Sequence, residues 1–213
     1  MEERYRLLPY IYALADENAR TGDPLMRPVF YDYPDALQSD CDQSMSFTLG
    51  RSLLIAGPPK PESPEKFDIC LPKGGWYDYW TGQPVTAAKL TQTPRLDLLP
   101  VFVRAGTILP RQPLIQSTME KPEGPLELDV YPGPNCSGEL YFDDGTSVTG
   151  PILRQSVKCA VVQTGVAVWF NSREGEWRPW WKEITVIVHG EHESRMTIPD
   201  QPRPGKIIVA AAK

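Results

Sequence analysis

No stretch of this chain approaches the ~18 consecutive apolar residues that a membrane-crossing helix needs. The longest apolar segments, Val161 to Phe170 and Ile184 to Val188, are strand-sized, so no membrane partner is expected. Positive charge is also scarce: 22 Lys plus Arg against 27 Asp plus Glu give a net charge of -5, with no basic cluster to grip a phosphate backbone. No nucleic acid is expected either. The chain has two histidines, both inside His189-Gly190-Glu191-His192, and no Gly-x-Ser-x-Gly elbow, which leaves a serine or cysteine triad without support. None of its four cysteines forms a Cys-x-x-Cys pair, so neither a zinc site nor a redox motif has its spacing. Isolated buried thiols are the expectation for Cys41, Cys70, Cys136 and Cys159, with two disulfides as the alternative if the natural parent is secreted. Met1-Glu2-Glu3-Arg4 lacks the basic and apolar regions of a signal peptide. As written the chain is expected in the cytoplasm, and a longer parent carrying a signal would be secreted or periplasmic.

What is abundant is proline, 23 of 213 residues, about twice the usual share. That favours short elements broken by turns over long helices. A length of 213 residues suits one large or two ordinary domains. Residues 2–20 alone carry helical periodicity, with Leu7, Leu8, Ile11, Leu14 and Ala15 on one stripe widened by Tyr5 and Tyr12. Gly22 supplies the stop, and Pro9 should kink the helix or restart it near Leu8.

From Leu25 onward the pattern turns to period two and to short runs rich in Val, Ile, Phe, Tyr and Trp. Strands are expected near Arg27 to Tyr33, Ser44 to Leu49, Ser52 to Ala56, Phe67 to Leu71, Trp76 to Thr81, Pro100 to Arg104 and Gly106 to Leu109. Gln112 to Pro125 reads as a long loop. A second series follows at Leu126 to Tyr131, Gly138 to Asp143, Ile152 to Cys159, Val166 to Asn171, Glu183 to His189, Arg195 to Ile198 and Lys206 to Val209. The fold class is mainly β: two consecutive antiparallel β-sandwich-like domains preceded by one amphipathic α-helix.

Asp143-Asp144-Gly145 ends a strand with two carboxylates. An acid/base pair or a calcium corner is one reading, a hairpin turn with Gly145 at positive φ the simpler one. Strand neighbours point to opposite faces, so the two carboxyls would not converge on one substrate. His189-Gly190-Glu191-His192 reads as an exposed turn, since no third metal ligand stands at a recognisable spacing. Asn135-Cys136-Ser137 formally matches a glycosylation acceptor. Two aromatic clusters remain: Trp76 and Trp80 in Gly75-Trp76-Tyr77-Asp78-Tyr79-Trp80-Thr81-Gly82, and Trp177, Trp180 and Trp181 further on. Either can stack the C–H face of a sugar, and either can seal a sandwich core. These five tryptophans are the candidate carbohydrate-binding residues, with an oligosaccharide as their ligand. No catalytic residue, metal site or cofactor is implied.

Four segments carry a resemblance. Arg4-Tyr5-Arg6-Leu7-Leu8-Pro9-Tyr10-Ile11-Tyr12, Gly22-Asp23-Pro24-Leu25-Met26-Arg27-Pro28, Trp76 to Gly82, and Leu99-Pro100-Val101-Phe102-Val103-Arg104-Ala105-Gly106-Thr107-Ile108-Leu109-Pro110 resemble, in this order, the C-terminal part of glycoside hydrolase family 31. That family contains α-glucosidases and α-xylosidases. Tyr141-Phe142-Asp143-Asp144-Gly145-Thr146-Ser147 resembles a turn of its distal C-terminal domain.

The resemblance implies three parts: residues 1–22 as the last helix of a (β/α)8 barrel otherwise absent, 23–112 as the proximal C-terminal β-sandwich, and 113–213 as the distal C-terminal β-domain. It implies a catalytic barrel as partner, in cis or in trans. The family's Asp-Met-Asn-Glu nucleophile segment is not found in this sequence, so the chain alone is expected to be inactive. The function expected is that of a non-catalytic C-terminal portion bracing the barrel of a retaining exo-α-glycosidase. A free-standing carbohydrate-binding module, or a structural domain docking a separate barrel, is the alternative. On the barrel reading Leu7, Leu8, Ile11 and Leu14 should be partly uncovered here.

Overall fold

Pro9 decides how the chain begins. In the computed structural model, which describes residues 2–38, 45–58, 60, 65–95 and 97–211, helix α1 (Glu2–Arg6) stops before the proline and α2 (Leu8–Thr21) restarts around it. Pro9 thereby falls in the first turn of α2, where a missing N–H costs nothing. Gly22 ends α2 at φ 82, its N–H donating to the Asn18 carbonyl at 2.8 Å, a left-handed cap open to glycine without strain.

The chain forms two compact units, Pro24–Ala105 and a discontinuous one made of Met1–Asp23 with Gly106–Lys213. The first unit holds β1 (Met26–Pro28), the short helix α3 (Val29–Asp32), β2 (Ser46–Leu49), β3 (Leu53–Ala56), β4 (Phe67–Cys70), β5 (Trp76–Asp78), β6 (Pro84–Val85), β7 (Lys89–Gln92) and β8 (Val101–Arg104). Six of its strands form a sheet in the order β1-β2-β3-β8-β5-β6, and β4 pairs with β7. Val29, Leu54, Ala56, Phe67, Ile69, Trp76 and Phe102 fill the core.

The expected strand over Arg27 to Tyr33 is cut short at Pro28. Arg27, 1% exposed, reaches forward with Nη1 to both carboxylate oxygens of Asp32 at 3.1 and 3.3 Å. That local ion pair spans a helical turn of residues with strand-like composition, a specific side-chain contact set against weak β propensity. Ser44, the expected start of the next strand, and Cys41 lie outside the described residues.

The discontinuous unit holds β9 (Thr107–Arg111), β10 (Leu126–Tyr131), β11 (Ser137–Phe142), β12 (Leu153–Val162), β13 (Gly165–Phe170), β14 (Glu183–Val188), β15 (Ser194–Pro199) and β16 (Gly205–Ala210). They form one sheet, β15-β14-β10-β9-β11-β12-β13-β16, antiparallel except at β10 with β14 and a single β9–β11 pairing. Its edge strands β15 and β16 approach one another, so the sheet curls over a core of Leu126, Leu128, Leu140, Leu153, Val168, Phe170, Ile184 and Val186.

Two features depart from expectation. Strand β9 pairs with β10, from Arg111 opposite Glu127 to Thr107 opposite Tyr131, so residues 106–112 join the second strand series, and α2 joins it too by packing on β9 and β11. Leu14 is buried at 7% exposure and Leu7, Leu8 and Ile11 are half-buried; the stripe is covered in part by this chain's own sheet. Cys136 and Cys159, expected as isolated thiols, form a disulfide with Cα atoms 5.0 Å apart. Cys136 immediately precedes β11, which pairs with β12, and the Cys159 N–H donates to the Cys136 carbonyl at 3.0 Å, which places the two side chains within bridging reach.

Candidate functional site

The candidate tryptophans divide by burial. Trp76 in β5 is 2% exposed, its Nε1 donating to the Pro72 carbonyl at 2.8 Å and its ring packed against Tyr33 at 5.6 Å. Trp181 is also 2% exposed, donates to Asp200 Oδ1 at 2.9 Å and belongs to the core of the discontinuous unit. Neither ring offers a face to a sugar. Trp177 stacks on Phe142 at 5.3 Å, and Trp180 meets Trp181 edge-on at 5.0 Å; both are half-buried against the same core. Trp80 is 41% exposed. Its position differs from the expected strand because Asp78 Oδ1 accepts the Trp80 and Thr81 N–H groups at 3.0 and 2.8 Å, turning the chain after Asp78. That turn places Trp80 beyond the strand face shared with Trp76, with its Nε1 bonded to the Leu99 carbonyl at 2.8 Å.

The Asp143-Asp144-Gly145 segment is a turn. Asp143 accepts the Gly145 N–H at 2.7 Å, and Asp144 accepts those of Thr146 and Ser147 at 3.0 and 2.8 Å; Gly145 has φ 69. Hydrogen bonds from Ser147 and Thr146 hold the Asp144 carboxyl down at about 2. A carboxyl so committed to its charged form is a poor proton donor near neutrality.

Asp143 has a second task that sequence reasoning missed. It accepts the hydroxyls of Tyr12 at 2.6 Å and Tyr141 at 3.1 Å, and burial followed by the bond to Asp143 pushes the Tyr12 phenol above its ordinary pKa. One turn along α2, Asp16 takes a two-pronged bond from Arg154 of β12, at 2.5 and 3.3 Å, and a further one from Arg20 at 2.9 Å. The Arg154 guanidinium also lies 5.4 Å from the Tyr141 ring centroid. Tyr12 and Asp16 sit four residues apart, which places them on one helix face, but nothing local marks Asp143 as the partner of Tyr12, 131 residues away, or Arg154 as that of Asp16, 138 residues away.

His189 is packed rather than exposed. Its ring stacks on Tyr131 at 4.4 Å, and its Nε2 lies 2.8 Å from Asp129 Oδ1; Asp129, 1% exposed, also accepts Arg111 Nη1 at 3.1 Å, and Arg111 reaches Glu3 of α1 at 3.3 Å. No group of three or more metal-ligating side chains occurs among the described residues.

The two N-terminal helices belong with the curled β-unit, and the other β-unit, residues 24–105, falls between them in the sequence. Residues 22–109 match the glycosyl hydrolase family 31 C-terminal domain, nearly coinciding with the inserted unit. The alpha-glucosidase 2 of Bacillus thermoamyloliquefaciens is 31% identical over 201 residues, 92% of this chain and 25% of that protein. The alpha-xylosidase of Saccharolobus solfataricus is 38% identical over 144 residues, 67% of this chain and 19% of that protein. Among solved structures, a Flavobacterium johnsoniae family 31 dextranase complexed with isomaltotriose superposes with a TM-score of 0.84 at 22% identity, covering 99% of this chain and 32% of the dextranase. The class is therefore that of the mainly β, C-terminal region of a glycosidase. The chain belongs to glycoside hydrolase family 31, and it spans about a quarter or less of the curated relatives it matches.

Proposed function

We propose that this chain braces the catalytic (β/α)8 barrel of a retaining exo-α-glycosidase of the α-glucosidase or α-xylosidase type, and that residues 1–22 are that barrel's last helical segment. The docking of α2 carries this reading. One face of the helix is fixed to the β-unit by Tyr12–Asp143 and Asp16–Arg154, while Leu7, Leu8 and Ile11 stay half-buried and offer apolar surface to barrel neighbours. Helix ends anchored in this way give a barrel a rigid wall where its chain leaves it. The relatives, in which the matching region is a minor part of a longer protein, support a barrel in cis.

Hydrolysis belongs to the barrel on this reading. Retention needs two carboxyls about 5–5.5 Å apart, one as nucleophile and one as acid/base, and Asp143 and Asp144 are consumed by the turn and the helix. The isolated chain should release no nitrophenol from nitrophenyl α-glucoside or α-xyloside, whereas the product of an open reading frame extended upstream into a barrel should. Release by the isolated chain that disappears in Asp143→Ala or Asp144→Ala would overturn this assignment. The Cys136–Cys159 bond supports an oxidising compartment, secreted or periplasmic, over the cytoplasm.

A second reading, sugar binding by the tryptophans first singled out, rests on Trp80, a residue 41% exposed. Oligosaccharide-dependent quenching that is lost in Trp80→Ala would favour it.

A further inference from the structure

The outer face of the curled sheet, opposite its core, carries a pocket of about 430 Å³ beside α2, within the ~300–1,000 Å³ range of small-molecule sites. Side-chain alternation puts Val166, Val168 and Phe170 of β13 in the core, so Trp169 stands on the opposite face. Register then aligns two rows. Glu139 lies opposite Ser156, whose carbonyl accepts the Asn171 N–H at 3.0 Å; one step along, Ser137, Lys158, Trp169 and Lys206 stand side by side. The first row, with Ser172 and Glu174, lines the pocket, and half-buried Trp169 stands two residues before Asn171.

From this juxtaposition we propose that the pocket and the Trp169 ring beside it form a binding site for a neutral oligosaccharide. The site has the polar groups such a ligand requires. The Asn171 amide donates to Ser156 Oγ, which fixes its plane and leaves its Oδ1 directed elsewhere, while Glu139, Ser172 and Glu174 make no side-chain hydrogen bond among the described residues. Acceptors, a hydroxyl and an amide converging on one concavity match the paired donor and acceptor character of sugar hydroxyls.

Charge selects against other ligands. Two carboxylates repel phosphate and other anions, and Arg154 in the wall, already engaged with Asp16, disfavours a free cation. Glu139 reaches solvent at the mouth, and protein packed on its inner side pushes its carboxyl upward because desolvation outweighs Arg20 and Arg154; as acid or anion it can bond a hydroxyl. The half-buried Trp169 ring, which carries Lys206 Nζ over it 5.1 Å from its centroid, adds the apolar surface it leaves uncovered next to these polar groups. The site does not depend on the barrel reading, because every residue in it belongs to this chain.

Maltotetraose and isomaltotetraose titrated separately into the full 213-residue chain, followed by the indole and amide N–H signals, provide the test. A saturable shift of the Trp169 indole and Asn171 side-chain signals is expected with one or both sugars. It should be lost in Trp169→Ala and weakened at least tenfold in Asn171→Ala. Ser172→Arg, which fills the pocket from an exposed position, should abolish binding with an unchanged melting temperature, separating a blocked site from a misfolded one. No shift up to ~10 mM sugar, well above a millimolar Kd, or shifts confined to the Trp80 indole, would overturn the proposal. Neither result bears on barrel bracing, which is read by hydrolysis in the extended protein.

Discussion

Replacing Leu14 with alanine separates a docked helix from a dangling one by the sign of a single number. Leu14 is 7% exposed in a helix that packs on β9 and β11. If that packing holds in solution, Leu14→Ala removes buried methyl groups and leaves a cavity between helix and sheet. Truncations of this kind cost about 2–5 kcal/mol in cores, and a one-sided helix contact should fall near the lower end, about 2–3 kcal/mol. Were α2 instead waiting undocked for a partner, the same change would be neutral or stabilising by a few tenths of a kcal/mol, since alanine is the better helix former. Urea unfolding of wild type and variant gives the difference, and hydrogen exchange across residues 137–142 assigns it to the discontinuous unit. A loss below ~0.5 kcal/mol, small against the 2–5 kcal/mol of buried truncations, together with α2 amides exchanging as in a free peptide, would refute the docked-helix account.

Three further outcomes are expected. Gly145→Val forces a β-branched residue into φ 69 with no neighbour within 4 Å to clash with, so the loss should come from backbone strain alone, ~1–2 kcal/mol by thermal unfolding; an unchanged melting temperature would contradict the turn. The Asp144 carboxyl should titrate at about 2 by carbon-detected NMR; because its folded value is depressed, the turn's contribution is complete above pH 4 and disappears as pH falls through 2, and a midpoint near 4 would remove the Ser147 and Thr146 bonds as its cause. Breaking the Cys136–Cys159 bridge by paired alanine substitution opens a loop of sequence separation 23 and should cost about 3 kcal/mol in chain entropy, read as a lowered urea midpoint; an unchanged midpoint would contradict it.

The β series, the helix restart at Leu8, the Gly22 cap and the Asp-Gly turn were legible because each depends on a few adjacent residues. Proline position, glycine at positive φ and side-chain alternation are local matters. The Arg27–Asp32 pair, though only five residues apart, escaped because composition does not say which side chains will meet. Most of the rest depended on distance along the chain: Arg154 meets Asp16 only after the sheet has brought β12 to the helix. Fate of the tryptophans was hidden for the same reason. Trp76 and Trp181 carry the same composition signal as Trp80, and only the assembled cores determine which ring keeps an open face. Trp169 was overlooked because it lies in an otherwise apolar run, Gly165 to Phe170, where alternation signals a core strand before it signals a surface.

The order in which the parts leave the ribosome follows from the discontinuous unit. Helix α2 is complete at Thr21, but β11, which it packs against, ends only at Phe142. At 5–20 residues per second the roughly 120 intervening residues take about 6–24 s to synthesise, far longer than the microseconds a helix needs to form or melt. Until β9 emerges at Thr107–Arg111 the Tyr10 and Leu14 side chains have none of the sheet that α2 packs on, and until Phe142 they have only part of it. Nascent chains are therefore most open to capture by chaperones, or to clumping with one another, during translation of residues 24–105, and slow codons there would lengthen the exposure while slow codons after residue 142 would not.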